Sequence, residues 1–240
     1  MVNIMNVLVL NGSPKGKNST TMILTQHFID GLNAIEENNI KIIDLSQKNI
    51  EYCLGCLLCW KKSPYNCVIR DDMDDLINLF KKAQLVIWSF PLYHGGIPAK
   101  MKTFLDRTLP MSRPVIRPAK SKFVGKAIVP VVPNDRKHVL ISSWGYIFPR
   151  YYKAVYDMFV YNFGERTVET IFCKGWQACL INKSDLRDEY LSKIKQAGKE
   201  YYLFEKFSEK TKEYLLNTTC DEKEFYSDFV DYFDLNIDQQ

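Results

Sequence analysis

The sequence predicts an α/β fold in three layers, with a doubly wound, five-stranded parallel sheet between two layers of helices. Two observations carry this expectation. Short runs of leucine and β-branched residues, such as Asn6-Val7-Leu8-Val9-Leu10 and Leu85-Val86-Ile87-Trp88-Ser89-Phe90, read as strands buried on both faces. Segments with apolar residues at helical spacing separate them, and strands alternating with helices imply parallel pairing with helices on both faces. In such sheets ligands bind at the carboxyl ends of the strands, near the switch point of the strand order.

The first strand, Asn6 to Leu10, ends at the turn residues Asn11-Gly12-Ser13-Pro14. Asn18-Ser19-Thr20 offers helix caps, and Leu24, Phe28, Leu32 and Ile35 follow at helical spacing. A second strand covers Ile40 to Leu45. The segment Cys53 to Cys67 interrupts the alternation. A helix resumes after Asp71-Asp72, two acids suited to the positive end of its dipole, with Met73, Leu76, Ile77 and Phe80 on one face. The strand Leu85 to Phe90 is closed by Pro91. Residues 98–109 read as a helix with Pro98 in its first turn. Residues 110–137, rich in Pro, Lys and Arg around the apolar run Ala127 to Val132, read as an inserted flap or hairpin.

Val139-Leu140-Ile141-Ser142 is the next strand, followed by the turn Ser143-Trp144-Gly145. A helix from about Pro149 to Asn162 and a strand from Thr167 to Phe172 complete five α/β units, and Asp185 to Phe204 is the last core helix. Beyond residue 205 the chain becomes charged and aromatic. Phe225, Phe229 and Phe233 recur every four residues, which predicts an amphipathic C-terminal helix, packed on its own domain or at a subunit interface. The expected organisation is a core domain over residues 1–204 and a helical extension over 205–240.

Composition excludes several classes. At 240 residues and 46% hydrophobic, the chain can build a sizeable core and is not globally disordered. Its 32 basic and 28 acidic residues are scattered, which argues against a nucleic-acid partner. The apolar run Ile4 to Leu10 is too short for a signal peptide or for a membrane helix of about 20 residues. The expected address is therefore cytoplasmic, with no membrane association. The seven cysteines then read as thiols or metal ligands rather than disulfides.

The first loop, Gly12-Ser13-Pro14-Lys15-Gly16-Lys17-Asn18-Ser19-Thr20, joins helix-start N–H groups to hydroxyls and lysines, the ingredients of an anion site. Its spacing is neither G-x-G-x-x-G nor a Walker A loop. Ser13, Lys15, Asn18, Ser19 and Thr20 make a cradle suited to a single monoester phosphate such as that of FMN. A helix simply capped after a turn uses the same residue types.

Gly12-Ser13-Pro14 with Asn18-Ser19-Thr20 resembles the phosphate loop of the NAD(P)H-dependent FMN reductase and flavodoxin-like superfamily. The segment Pro91-Leu92-Tyr93-His94-Gly95-Gly96-Ile97-Pro98-Ala99-Lys100-Met101-Lys102, continued by Phe104-Leu105-Asp106-Arg107, resembles the second flavin loop of that superfamily. With Cys53-Leu54-Gly55-Cys56-Leu57-Leu58-Cys59 and Cys67, the chain is most similar to the branch containing iron–sulfur flavoproteins. The resemblance covers roughly residues 5 to 180. It implies a flavodoxin-like fold holding FMN, reduced by NAD(P)H or by a reduced ferredoxin. It also implies a small acceptor such as a quinone, free flavin or nitro compound, and a homodimer or higher homo-oligomer.

On this expectation Pro91, Leu92, Tyr93, His94 and Gly95 stand where the flavin ring would lie, and Gly95 with Gly96 lets the backbone approach it. Tyr93 would stack on or edge the ring. His94 would donate to it, or be a loop histidine with no role. Ser142, Trp144 and Gly145 form the equivalent third loop, with Trp144 covering the flavin or serving in the core or an interface. No general acid or base stands out, as expected if the flavin carries the chemistry.

The spacing Cys53-x2-Cys56-x2-Cys59-x7-Cys67 matches the ferredoxin C-x2-C-x2-C pattern in its first three members, but the fourth lies further on and lacks the following Pro. Three readings stand: a [4Fe–4S] cube, a closed tetrahedral zinc site, and metal-free thiols including a redox-active C-x2-C pair. Cys173, Cys179 and Cys220 are isolated and read as buried structural cysteines. Two rival functions accompany the oxidoreductase expectation. One is an electron carrier relaying single electrons between FMN and a protein partner. The other is a non-catalytic module that kept the fold.

Overall fold

The computed structural model describes residues 4–62, 66–117, 127–130, 135–147, 150–176, 180, 183–217 and 222–233. Five strands form one sheet: β1 (Asn6–Asn11), β2 (Asn39–Asp44), β3 (Leu85–Pro91), β6 (Lys137–Ser143) and β7 (Val168–Cys173). Their order is β2-β1-β3-β6-β7 and every pair is parallel. This is the flavodoxin-like order, with its switch point between β1 and β3.

Alternation along each strand divides the core in two. Val7 and Val9 of β1 face the cluster built with α1 (Thr20–Asn33) and α6 (Ser184–Phe204). Leu8 and Leu10 face the opposite cluster, built with α3 (Met73–Lys82), α4 (Ala99–Asp106) and α5 (Arg150–Phe163). The helix stripes are as the spacing predicts: Leu24, Phe28 and Leu32 are fully buried, as are Met73, Leu76, Ile77 and Phe80. Ile35 is a correction, because α1 stops at Asn33 and leaves Ile35 exposed beyond it. Pro98 is a second correction. It caps α4 in an extended conformation instead of entering the first turn. Strand β2 begins at Asn39, and Leu45 belongs to the 3-10 turn Leu45–Gln47 that follows it.

Within the segment 110–137, β4 (Ser112–Arg117) pairs antiparallel with β5 (Ala127–Pro130). The parts of that segment at 118–126 and 131–134 lie outside the described residues, as do Pro149, Cys179 and Cys220. The C-terminal part folds as α7 (Glu209–Asn217) and α8 (Glu222–Phe233). Phe225 of α8 is buried in the core cluster on the α1 face, and Phe229 stacks on Tyr146 at 5.5 Å. Among the described residues no helix is long and apolar enough to cross a membrane.

Candidate functional site at the carboxyl edge of the sheet

Because all five strands run the same way, the loops after β1, β2, β3 and β6 emerge on one edge. The first of these is anchored from behind. The Gly12 N–H donates to Ser89 O of β3 at 2.8 Å, and the Ser13 N–H donates to the Asn11 Oδ1 at 3.0 Å. A buried hydroxyl pair, Thr25 Oγ1 to Ser89 Oγ at 2.9 Å, ties α1 to β3 beneath it. Ser19 caps α1, its Oγ accepting from the Met22 N–H at 3.3 Å, and it also lies 3.2 Å from the Thr21 hydroxyl. The N–H groups of Thr20 and Thr21, in the first turn of α1, reach no acceptor among the described residues. Thr20 is partly open beside them, and Lys15 and Asn18 are exposed. Ser13 is buried, and its Oγ accepts from the Lys15 N–H at 3.3 Å. The structure therefore brings the five predicted residues into one loop, with Ser13 and Ser19 shaping it and the others facing outward.

Across the switch point stands a tight turn. Tyr93 N–H donates to Gly96 O at 3.0 Å, and Gly96 N–H donates back to Tyr93 O at 2.8 Å. The two residues between, His94 and Gly95, both lie in the left-handed region, at φ 48° and 71°. This is the two-residue hairpin geometry that needs positive φ at both centres, and histidine tolerates it better than most side chains. The arrangement fixes the loop tip and leaves the His94 and Gly95 N–H groups without an acceptor among the described residues. Tyr93 and His94 are exposed. Leu92 differs: its side chain is buried and its N–H is spent on Ser143 O at 3.1 Å, joining the second loop to the third.

In the third loop, Trp144 lies stacked on Tyr151, with ring centroids 4.6 Å apart, and edge-on to Tyr152. Its backbone N–H donates to Cys173 O, and its indole Nε1 is buried with no partner among the described residues. Ser142 is fully buried, and its Oγ also has no partner among the described residues. Gly145 is half-buried at the rim. Cys173 is fully buried, which pushes its thiol up to about 12 and makes it a structural group.

The cysteine loop follows β2. Cys53 and Cys56 are exposed, Cys67 is half-buried, and Cys59 is buried on the short helix α2 (Leu58–Lys61). All four line one cavity of about 20 Å³, together with Leu54, Leu57, Val68 and Arg107. Among the described residues no three His, Cys, Asp or Glu side chains converge as ligands of a single metal ion. Burial first, and then the nearby Cys67, raise the Cys59 thiol above its ordinary value. Gly55 and Leu57 both take positive φ, so the loop holds a bent path that its surroundings must enforce.

The flanks of the loop are held by an ion pair. Arg107, just past the end of α4, meets Asp71 in a two-pronged contact of 2.7 and 3.0 Å, with both side chains about 1% exposed. Burial opposes the charge on each, but their mutual contact outweighs it: Asp71 titrates below its ordinary value and Arg107 above it. Asp71 also accepts from the Glu51 and Met73 N–H groups. Sequence reasoning saw Asp71 only as a helix-start acid and Arg107 only as the end of a matching segment. The partners lie 36 residues apart, and no local spacing joins them.

A sequence profile of NADPH-dependent FMN reductases matches residues 5–141, more than half of the chain. The chain belongs to the NADPH-dependent FMN reductase family. Among curated proteins it is 35% identical over 109 residues to an iron–sulfur flavoprotein of Methanocaldococcus jannaschii, covering 45% of this chain and 53% of that one. It is 34% identical over 152 residues to an iron–sulfur flavoprotein of Archaeoglobus fulgidus, covering 60% and 65%. The matched region thus spans about half to two thirds of those relatives' lengths. Among solved structures, an FMN-dependent NADH-azoreductase of Bacillus anthracis in complex with FMN aligns over 82% of this chain and 99% of its own, at TM-score 0.60 and 18% identity. An NAD(P)H:quinone oxidoreductase of Methanothermobacter marburgensis aligns over 82% and 97%, at TM-score 0.58 and 16% identity. These two likenesses establish the shared fold.

The family's flavin finds suitable groups here. Unspent N–H groups at the start of α1 suit a phosphate, and the rigid turn at His94 and Gly95 offers donors to a flat polar ring. The cysteine loop sets four thiols around one largely apolar cavity, the donor type that iron–sulfur clusters take.

Proposed function

We propose that this chain is an FMN-dependent oxidoreductase that takes electrons from NAD(P)H, or from a reduced ferredoxin, and delivers them to a small acceptor such as a quinone, free flavin or nitro compound. When bound, FMN supplies the hydride and electron transfer. The observation that carries the reading is the pairing of two donor sets across the β1/β3 switch point: the Thr20 and Thr21 N–H groups on one side, and the His94 and Gly95 N–H groups on the other. In this reading Ser19 orients the first turn of α1 toward the phosphate, Thr20 adds a hydroxyl, and Lys15 supplies a nearby positive charge. Tyr93 edges the ring, and the Leu92–Ser143 bond keeps the second and third loops in register. Trp144 contributes by packing, with one face of its ring on Tyr151 and Tyr152 edge-on to it.

The test is the absorbance of anaerobically purified protein before and after NADH or NADPH. The reading expects a flavin spectrum that bleaches on addition of one of the two. Colourless protein that takes up no added FMN contradicts it.

A second reading makes the chain an iron–sulfur flavoprotein passing single electrons to a protein partner. The four thiols lining one cavity favour it, with Cys53, Cys56, Cys59 and Cys67 as ligands of a [4Fe–4S] cluster. Iron and sulfide both absent after anaerobic reconstitution would remove it. A homodimer, implied by the resemblance, is checked by sedimentation.

A further inference from the structure

We propose that Arg107 is the positioning residue of the four-cysteine site: it staples together the two chain segments that enter and leave the loop, and it offers one unspent N–H to the sulfurs of a cluster held there. This rests on the reading that the four cysteines hold an iron–sulfur cluster.

A guanidinium has five N–H donors in a fixed fork. Nη1 donates to Glu51 O at 2.7 Å and to Asp71 Oδ2 at 2.7 Å. Nη2 donates to Ile69 O at 3.3 Å and to Asp71 Oδ1 at 3.0 Å. Glu51 lies just before Cys53, and Ile69 just after Cys67, so one side chain grips the loop on both flanks. Four donors are spent on the chain. The fifth, on Nε, is sealed from solvent and has no acceptor among the described residues. Arg107 lines the same cavity as the four thiols. A buried donor without an acceptor is rare in a native fold and calls for an unplaced partner. A sulfur of the cluster is an acceptor of the right chemistry, and hydrogen bonds to sulfur raise the reduction potential of such clusters. Lysine cannot replace the fork: it has one point charge and no Nε.

The full chain and its Arg107→Lys and Arg107→Met variants are reconstituted anaerobically with iron and sulfide. Iron and sulfide per chain, the cluster midpoint potential, FMN content and far-ultraviolet circular dichroism are measured on each. The proposal expects both variants to bind the cluster about tenfold to a hundredfold more weakly, and the cluster that remains to have a lower potential than in the wild type. Unchanged occupancy, or a weakened cluster whose potential is unchanged, overturns it, since a purely structural staple would not move the potential. Should Arg107→Met fail to fold by circular dichroism, Arg107→Lys alone decides on the same two measurements. Wild-type protein that takes up FMN but no iron removes the cluster reading and this proposal with it, and leaves the flavin reading standing.

Discussion

Asp71 and Arg107 sit in the interior as charges, and a buried pair is far more sensitive to losing one member than to being formed. Asp71→Asn leaves the guanidinium uncompensated and frees the Glu51 and Met73 N–H groups from a carboxylate. We expect it to lower unfolding free energy by about 3–5 kcal/mol in urea titration. His138 is the opposite case, a buried ionisable group kept neutral. Its Nδ1 accepts from the Trp88 Nε1–H at 3.0 Å, so the ring proton must sit on Nε2. Burial first, and then nearby Arg136, lower its pKa to about 3. The unfolded chain, near 6.5, therefore binds a proton that the folded chain refuses, so stability falls as pH drops from 6.5 toward 3. His138→Gln, which keeps an acceptor for Trp88, should flatten that limb of the stability curve. An equally steep limb in the variant would contradict the assignment. The sequence showed Asp71 and Arg107, yet neither as buried: a charged side chain reads as solvated until its partner is known, and Arg107 finds its partner only across the fold.

The elements were legible where an apolar period was long. The stripes Leu24, Phe28 and Leu32, and Met73, Leu76, Ile77 and Phe80, marked α1 and α3 because burial is what the period records. Ends were less legible. Ile35 continues the spacing of α1 although the helix has stopped, since a period carries no mark of where backbone hydrogen bonding ceases. The close crossing of α1 and α6 left no apolar signature either. A Cβ on Gly198 would stand 2.2 Å from Phe28 O, and one on Gly31 would stand 2.1 Å from Lys195 O. Two helix backbones touch there, and backbone cannot swing aside as a side chain would. Gly198→Ala should therefore cost about 3 kcal/mol, at the upper end for overpacking, although alanine ordinarily favours a helix. At the C-terminus, Phe225 is 1% exposed and anchors α8. Phe225→Ala should cost about 3 kcal/mol by the same urea assay.

At the scale of the molecule, parallel strands place every candidate loop on one edge. The loop after β1 was legible only as a candidate, because its residue types serve an anion and a helix cap alike and its place after β1 puts it on the ligand edge of the sheet. The inner parts of the site were not: nothing local shows that Leu92 spends its N–H on Ser143, or that Trp144 lies against Tyr151. Helix α4 joins the two candidate centres. It begins after the His94 turn, runs about 12 Å and ends at Arg107, which lines the cysteine cavity. The proposed function depends on a flavin being held at the β1/β3 switch point by its phosphate. Titration of the flavin-free chain with FMN and with riboflavin, which lacks the phosphate, tests this most directly. The account predicts that FMN binds and that riboflavin binds at least about tenfold more weakly, the equivalent of about 1.4 kcal/mol. Equal affinity for the two, or no binding of FMN, would contradict it.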